Sequence, residues 1–183
     1  MASEIIVNKI KAPTTGANAN TIVIPAGHKV VGTDEASIYS AGQIIQTVQY
    51  QDIPTTARST TSSSFAASGI TLAITPKFNN SRLIINYMMN MSHPQTSMWG
   101  RQQMYYKIGT GSYSALHGGI YDSGYHENTT NNYAPSIHQS YLDVTSTDTH
   151  TFQPYAMCGG GSSAYYYVHS NACLFFQIQE IKQ

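Results

Sequence analysis

Residues 60–90, TTSSSFAASGITLAITPKFNNSRLIINYMMN, carry the strongest constraint in this chain. Ile70, Leu72 and Ile74 fall on one side of an extended backbone, and Thr71, Ala73 and Thr75 on the other. A helix repeats its apolar stripe every three to four residues and cannot use this period of two. A Thr75-Pro76-Lys77 turn then leads into a second run starting at Ser81-Arg82-Leu83-Ile84-Ile85. In that run Leu83, Ile85, Tyr87, Met89 and Met91 share one face, and Ile84, Asn86, Met88 and Asn90 share the other. Both faces are partly apolar, so the strand is expected at the centre of a sheet, with one side in the core and the other against a neighbouring subunit.

From residue 43 onward, extended segments recur every ten to fifteen residues with turn residues between them, the spacing of a sandwich or barrel. QIIQTVQY at 43–50 is the first, with Ile45 and Val48 inward, and Ile53-Pro54 ends it because proline cannot donate to a ladder. Residues 55–64 read as a polar loop, and 68–75 and 82–91 as strands. QQMYYKI at 102–108 is a strand closed by a Gly109-Thr110-Gly111-Ser112 turn. Residues 113–135 hold short strands and long loops. SIHQSYLD at 136–143 is a further strand, and THTFQPYAM at 149–157 another, on a sheet edge because of Pro154. AYYYVHS and ACLFFQIQEI close the fold. No segment carries a capped helical stripe.

Residues 1–40 differ. IIVNKI and TIVIP are short extended pieces separated by polar turns, too few to bury a core alone. Their apolar residues Ile5, Val7, Ile10, Ile22, Ile24 and Val30 can pack on the main domain or, the preferred reading, on copies of themselves around a symmetry axis. The boundary falls at Ala41-Gly42, giving a segment 1–40 and a head domain 41–183.

Charged residues make up 10% of the chain, and 9 Lys+Arg balance 9 Asp+Glu. A monomer with so few charges is prone to associate, which suits surfaces buried in an assembly. Nucleic-acid binding needs clustered cations, and the densest basic run is Lys9-Ile10-Lys11. No run approaches the ~20 apolar residues of a membrane span. MASEIIVNKIKAP lacks a signal peptide's basic start and apolar core, so synthesis in a cytoplasm is expected. Cys158 and Cys173 read as reduced thiols, though a disulfide stays open.

Ser64-Phe65-Ala66-Ala67-Ser68-Gly69-Ile70, then Ile74-Thr75-Pro76-Lys77-Phe78, then Ser81-Arg82-Leu83 resembles a motif of small virion structural proteins of tailed bacteriophages, common in marine and cyanobacterial phages. The IVNKI and TIVIPAGHKVVGTD lead-in and the terminal QIQEI are similar too. The resemblance implies a trimeric fibre, tail-tip or capsid-surface protein, with a thin N-terminal attachment segment and a β-sandwich head.

Candidate chemistry is sparse. His117, His126, His138 and His150 lie near Asp122, Glu127, Asp143 and Asp148 in sequence, but no His-x-His, His-Glu-x-x-His or Cys-x-x-Cys spacing joins them. Gly-x-Ser-x-Gly is absent, and too few acids remain for a glycosidase pair. No enzyme activity, cofactor or metal is expected. Fourteen Tyr against 5 Phe is the better functional signal. Tyrosine offers flat apolar area with a polar tip, favoured at recognition surfaces and subunit contacts alike. Trp99, Tyr121, Tyr125, Asn128 and Tyr133 are the candidate ligand contacts, for a host-surface glycan or protein.

The expectation is therefore all-β: a jelly-roll-like antiparallel β-sandwich head on a thin extended N-terminal segment, assembled as a homotrimer. It is a virion protein on the particle surface, joined to other virion proteins through residues 1–40. Its role is host attachment as a fibre or tail tip, or else decoration of the capsid.

Overall fold

The computed structural model describes residues 14–16, 26, 40–92, 99–117, 126–127, 134–159, 165–168 and 173–183. By its internal contacts the chain divides into two compact units, Met1–Ile38 and Tyr39–Gln183. Ile5, Val7, Ile10, Ile22, Ile24 and Val30 lie outside the described residues.

Twelve strands and no helix are found among the described residues. They are β1 (Ile44–Asp52), β2 (Arg58–Thr60), β3 (Ala66–Ala67), β4 (Leu72–Ile74), β5 (Ser81–Met91), β6 (Trp99–Ile108), β7 (Ser114–Ala115), β8 (His126–Glu127), β9 (Ala134–Asp143), β10 (His150–Gly159), β11 (Tyr165–Val168) and β12 (Leu174–Lys182). The first sheet runs β1-β12-β5-β9. The second has β10 and β6 at its centre, with β3 and β4 along β10 and β7 and β8 along β6. A small third sheet joins β2 to β11. Every pairing is antiparallel.

The pairings nest. β1 pairs with β12, β3 and β4 with β10, β5 with β9, and β6 with β7 and β8. The chain is thus one long antiparallel ribbon, rolled until β12 also meets β5 and β10 also meets β6. That is a jelly roll, the double-sheet solution to covering strand edges.

Alternation sets which side chains fill the interior. Ile70 and Ile74 are buried while Thr71, Ala73 and Thr75 are exposed. β5 does sit inside its sheet, and Leu83, Ile85, Tyr87 and Met89 all turn inward. They meet Leu174, Phe176 and Ile178 of β12, Met104 of β6, and Phe152, Ala156 and Cys158 of β10 in one cluster. Each large apolar side chain in it contributes roughly 1.5–3 kcal/mol by burial. In β1 a register shift between Ile44 and Gln46 leaves both Ile45 and Val48 half-buried, as a bulge does by adding one residue to a strand.

Three sequence readings change. Residues 55–64 are not all loop, because β2 forms within them and pairs with β11. The 68–75 strand is shorter than expected: β3 and β4 are separate pieces around Gly69, whose φ of +74° suits glycine. β10, placed on an edge because of Pro154, is central. The break between β3 and β4 explains it. The Pro154 carbonyl accepts from Ser68 N (3.0 Å), so its donor-free nitrogen also points toward β3 and β4 and meets the gap between them. Neither cysteine is in a disulfide, Cys158 being buried and Cys173 half-buried.

Sequence reasoning gave no role to Glu180, which has no exposed surface. On β12 it follows Leu174, Phe176 and Ile178 into the interior. Its Oε1 accepts from Lys77 N (3.0 Å), Phe78 N (3.1 Å) and Ser81 Oγ (2.6 Å). Its Oε2 accepts from Lys77 N (2.9 Å) and Gln46 Nε2 (2.7 Å), and Gln46 also bonds Thr75 O (2.7 Å). The Thr-Pro-Lys-Phe turn and the serine after it thus form a cradle for one carboxylate. Glu180→Gln places an amide NH2 against these donors and is expected to cost about 3 kcal/mol. In thermal unfolding that is a fall in Tm on the order of 10 °C, whereas Thr110→Ser in the exposed turn after β6 should leave Tm nearly unchanged.

Candidate recognition surface

On β6 and β10 the odd-numbered side chains point away from the core, so strand parity assembles an aromatic cluster on the outer face of the second sheet. Tyr105 and Tyr155 stack with ring centroids 4.0 Å apart and planes inclined by 24°. Phe65 lies 6.2 Å from Tyr105, and Tyr113, from the turn after β6, lies 6.1 Å from Tyr155. Lys107 Nζ sits 5.2 Å above the Tyr113 ring. All four rings are half-buried, so each keeps surface toward solvent. Burial, with the adjoining tyrosine second, raises the phenol pKa of Tyr113 and of Tyr155.

Trp99 opens β6 at the other end of this face, directly opposite Gly159. A Cβ on Gly159 would fall 2.2 Å from the indole, so the ring covers the bare glycine backbone. The Arg101 guanidinium lies 4.6 Å over the indole centroid, a stacking contact of cation and π face. Gly109 supplies the left-handed position (φ +54°) in the turn between β6 and the Tyr113 segment. Gln103 Nε2 then holds that segment down through the His117 carbonyl (3.1 Å).

The structure therefore places Trp99 on the same sheet face as a tyrosine cluster at its other end. Tyr105, Tyr113 and Tyr155 were the missed members, and alternation along 102–108 and 149–157 was the signal for two of them. Tyr121, Tyr125, Asn128 and Tyr133 lie outside the described residues. So do the side chains of Tyr165, Tyr166 and Tyr167.

Among the described side chains, His117, His138 and His150 belong to no shared metal-binding group. His138 is buried and stacks on Tyr87 at 4.5 Å, with Ser136 Oγ bonded to its Nε2. His150 is buried at the start of β10 and its Nδ1 bonds the Asp148 carbonyl (2.7 Å). His117 stands edge-on to Tyr141 at 6.1 Å. Among the described residues no group of three His, Cys, Asp or Glu is placed to hold a metal ion. Nor does any described helix cross a membrane, since none is long and apolar enough.

No family model matches the chain, and no curated protein matches it in sequence. The fold has matches among solved structures. A chain from the structure of infectious bursal disease virus, Gx strain, aligns over 89% of this chain and 39% of its own length, with a TM-score of 0.50 and 10% identity. A chain of the infectious bursal disease virus VP2 subviral particle aligns over 93% and 41%, with a TM-score of 0.44 and 12% identity. The chain thus spans about two fifths of the structures it matches. At 10% identity the first likeness is one of fold, and it agrees with the rolled ribbon described above.

Trp99 is the single tryptophan, so its emission reports this surface alone. Gly159→Ala is expected to push the indole off the sheet and shift its fluorescence to the red, with little change in far-UV circular dichroism. The raised phenols give a second expectation. The unfolded chain loses these protons first, so stability contributed by neutral Tyr113 and Tyr155 is present below about pH 10 and falls as pH rises further. Denaturant midpoints across that range check it, with Tyr155→Phe flattening the fall.

Proposed function

We propose that this chain is a non-enzymatic structural protein of a virus particle, built to assemble with copies of itself. The strand order carries the reading: a jelly roll is a fold of capsid and lectin domains, and it aligns with a virus-particle chain over 89% of its length. The sparse charge, balanced to zero, supports it as well. The finer reading is a trimeric fibre or tail-tip head of a tailed phage, as the 64–83 motif implies. Residues 1–40 attach it to other virion proteins, and the head carries the host-binding surface. The protein is made in the host cytoplasm and ends on the particle surface.

The aromatic face of the second sheet supports attachment. Flat rings with polar tips suit the faces of sugar rings or an extended protein loop. Three such faces on one rigid assembly give avidity from weak single sites. Purified protein is expected to bind the cells that the particle infects and to block particle uptake. Trp99→Ala combined with Tyr155→Ala should weaken single-site binding by about tenfold, roughly 1.4 kcal/mol. Failure of the parent protein either to bind or to block ends the attachment role. Densitometry of the particle then decides for decoration of the capsid if the copy number is high.

A further inference from the structure

We infer that the outer face of the first sheet is where copies of this chain meet, packed around a symmetry axis that runs along its strands. This rests on the self-assembly reading above and names its surface.

The register sorts that face into four cross-strand rows, apolar and amide side chains throughout except for one paired arginine and aspartate and one threonine. Phe175, Met88 and Ile137 are cross-strand apolar neighbours, and Gln51 on β1 ends their row. The next row is amide throughout: Gln49, Gln177, Asn86 and Gln139, with Gln139 Nε2 donating to Asn86 Oδ1 (2.8 Å). Beyond it Thr47, Gln179, Ile84 and Tyr141 share a row, and then Ile44, Ile181, Arg82 and Asp143. Ile137 is 76% exposed and Tyr141 51%, an expense of apolar surface that a solvent-facing sheet would fill with polar side chains.

Charge selects the occupant. The one ionic pair among the described residues of this face neutralises itself, with Arg82 Nε and Nη2 on the two Asp143 oxygens at 2.6 and 3.0 Å. The same bond holds Asp143 below the usual carboxylate range. The Arg82 side chain also covers the Tyr141 ring at 4.4 Å. A cyclic axis along the strands sets every residue at the height of its own copies, so each row meets itself. The apolar side chains Phe175, Met88 and Ile137, and Ile84 with Tyr141, then bury one another's copies. Amides carry donor and acceptor together, so an amide row bonds its own kind. An unpaired charge in any row would meet its repeats, and the described side chains put none there. A partner of opposite charge has nothing here to recognise, whereas a second copy of this chain brings apolar surface and amides to the same heights and no unpaired charge.

Light scattering on the full-length chain tests the inference, with far-UV circular dichroism confirming the fold. The parent protein should show a multiple of the single-chain mass. Ile137→Lys and Gln139→Glu should each reduce it to the single-chain mass at neutral pH. Gln139→Glu keeps an exposed polar side chain and so guards against a folding failure. Thr151→Lys, on the outer face of the second sheet, should keep the parent mass. If the parent is oligomeric and both first-sheet variants stay so, this surface is wrong and self-assembly stands. A single-chain parent overturns both, including the case in which another virion protein occupies the face, and loss of assembly in Thr151→Lys moves the contact to the second sheet.

Discussion

A carboxylate without water must find its hydrogen bonds in the protein, and Glu180 finds them in segments far apart in sequence. Gln46 reaches it from β1, Lys77 and Phe78 offer backbone N–H groups from the turn after β4, and Ser81 adds its hydroxyl at the start of β5. Burying such a group unpaired is among the costliest things a fold can do. The side chain therefore fixes the register of β12 between β1 and β5, and it gives the turn entering β5 one permitted shape. The bond from Lys182 N to Gln43 O and that from Gly42 N to Lys182 O close the same end of the sheet. Lys182 Nζ above the Phe78 ring (4.1 Å) and bonded to Asn80 Oδ1 (2.7 Å) seals the outside.

Much of this fold was legible because the side-chain period of a strand is two and shows in sequence. The inward sets Ile70–Ile74 and Leu83–Met89 were visible in the letters alone, and the central place of β5 followed from its two apolar faces. Pro154 misled for a physical reason: its missing donor matters only where a partner strand is continuous, and β3 and β4 leave a gap there. The 55–64 stretch looked like loop because a three-residue strand carries no periodicity of its own. Glu180 was readable in principle. Parity along LFFQIQEI points it inward with Phe176 and Ile178, and an inward carboxylate demands donors. The Thr-Pro-Lys-Phe-Asn-Asn-Ser stretch that supplies them is meaningful only once β12 lies beside it, which sequence distance conceals.

The candidate surface divided along the same line. Trp99 was named from composition, whereas its setting over Gly159 and under Arg101 depends on the pairing of β6 with β10. The Tyr105–Tyr155 stack is likewise a cross-strand diagonal, invisible until register is known. The two sheets thus present different outer faces, one of amides and apolar side chains with its one described ion pair internally balanced, and one aromatic with cations resting on rings. A single rolled ribbon gives both, because each strand has one side committed to the core and one free to vary.

The position of β12 has a kinetic consequence. It lies between β1 and β5, pairing Ile44 with Ile181 and Arg82 with Ile181 across long stretches of chain. Until it docks, two long strands present naked backbone to each other across an empty slot. Loop-closure entropy makes such distant pairing slow, and the slot fits any identical strand, whether from the same molecule or from a sister nearby. Yield on refolding is then a contest between intramolecular insertion and exchange, and dilution favours the first.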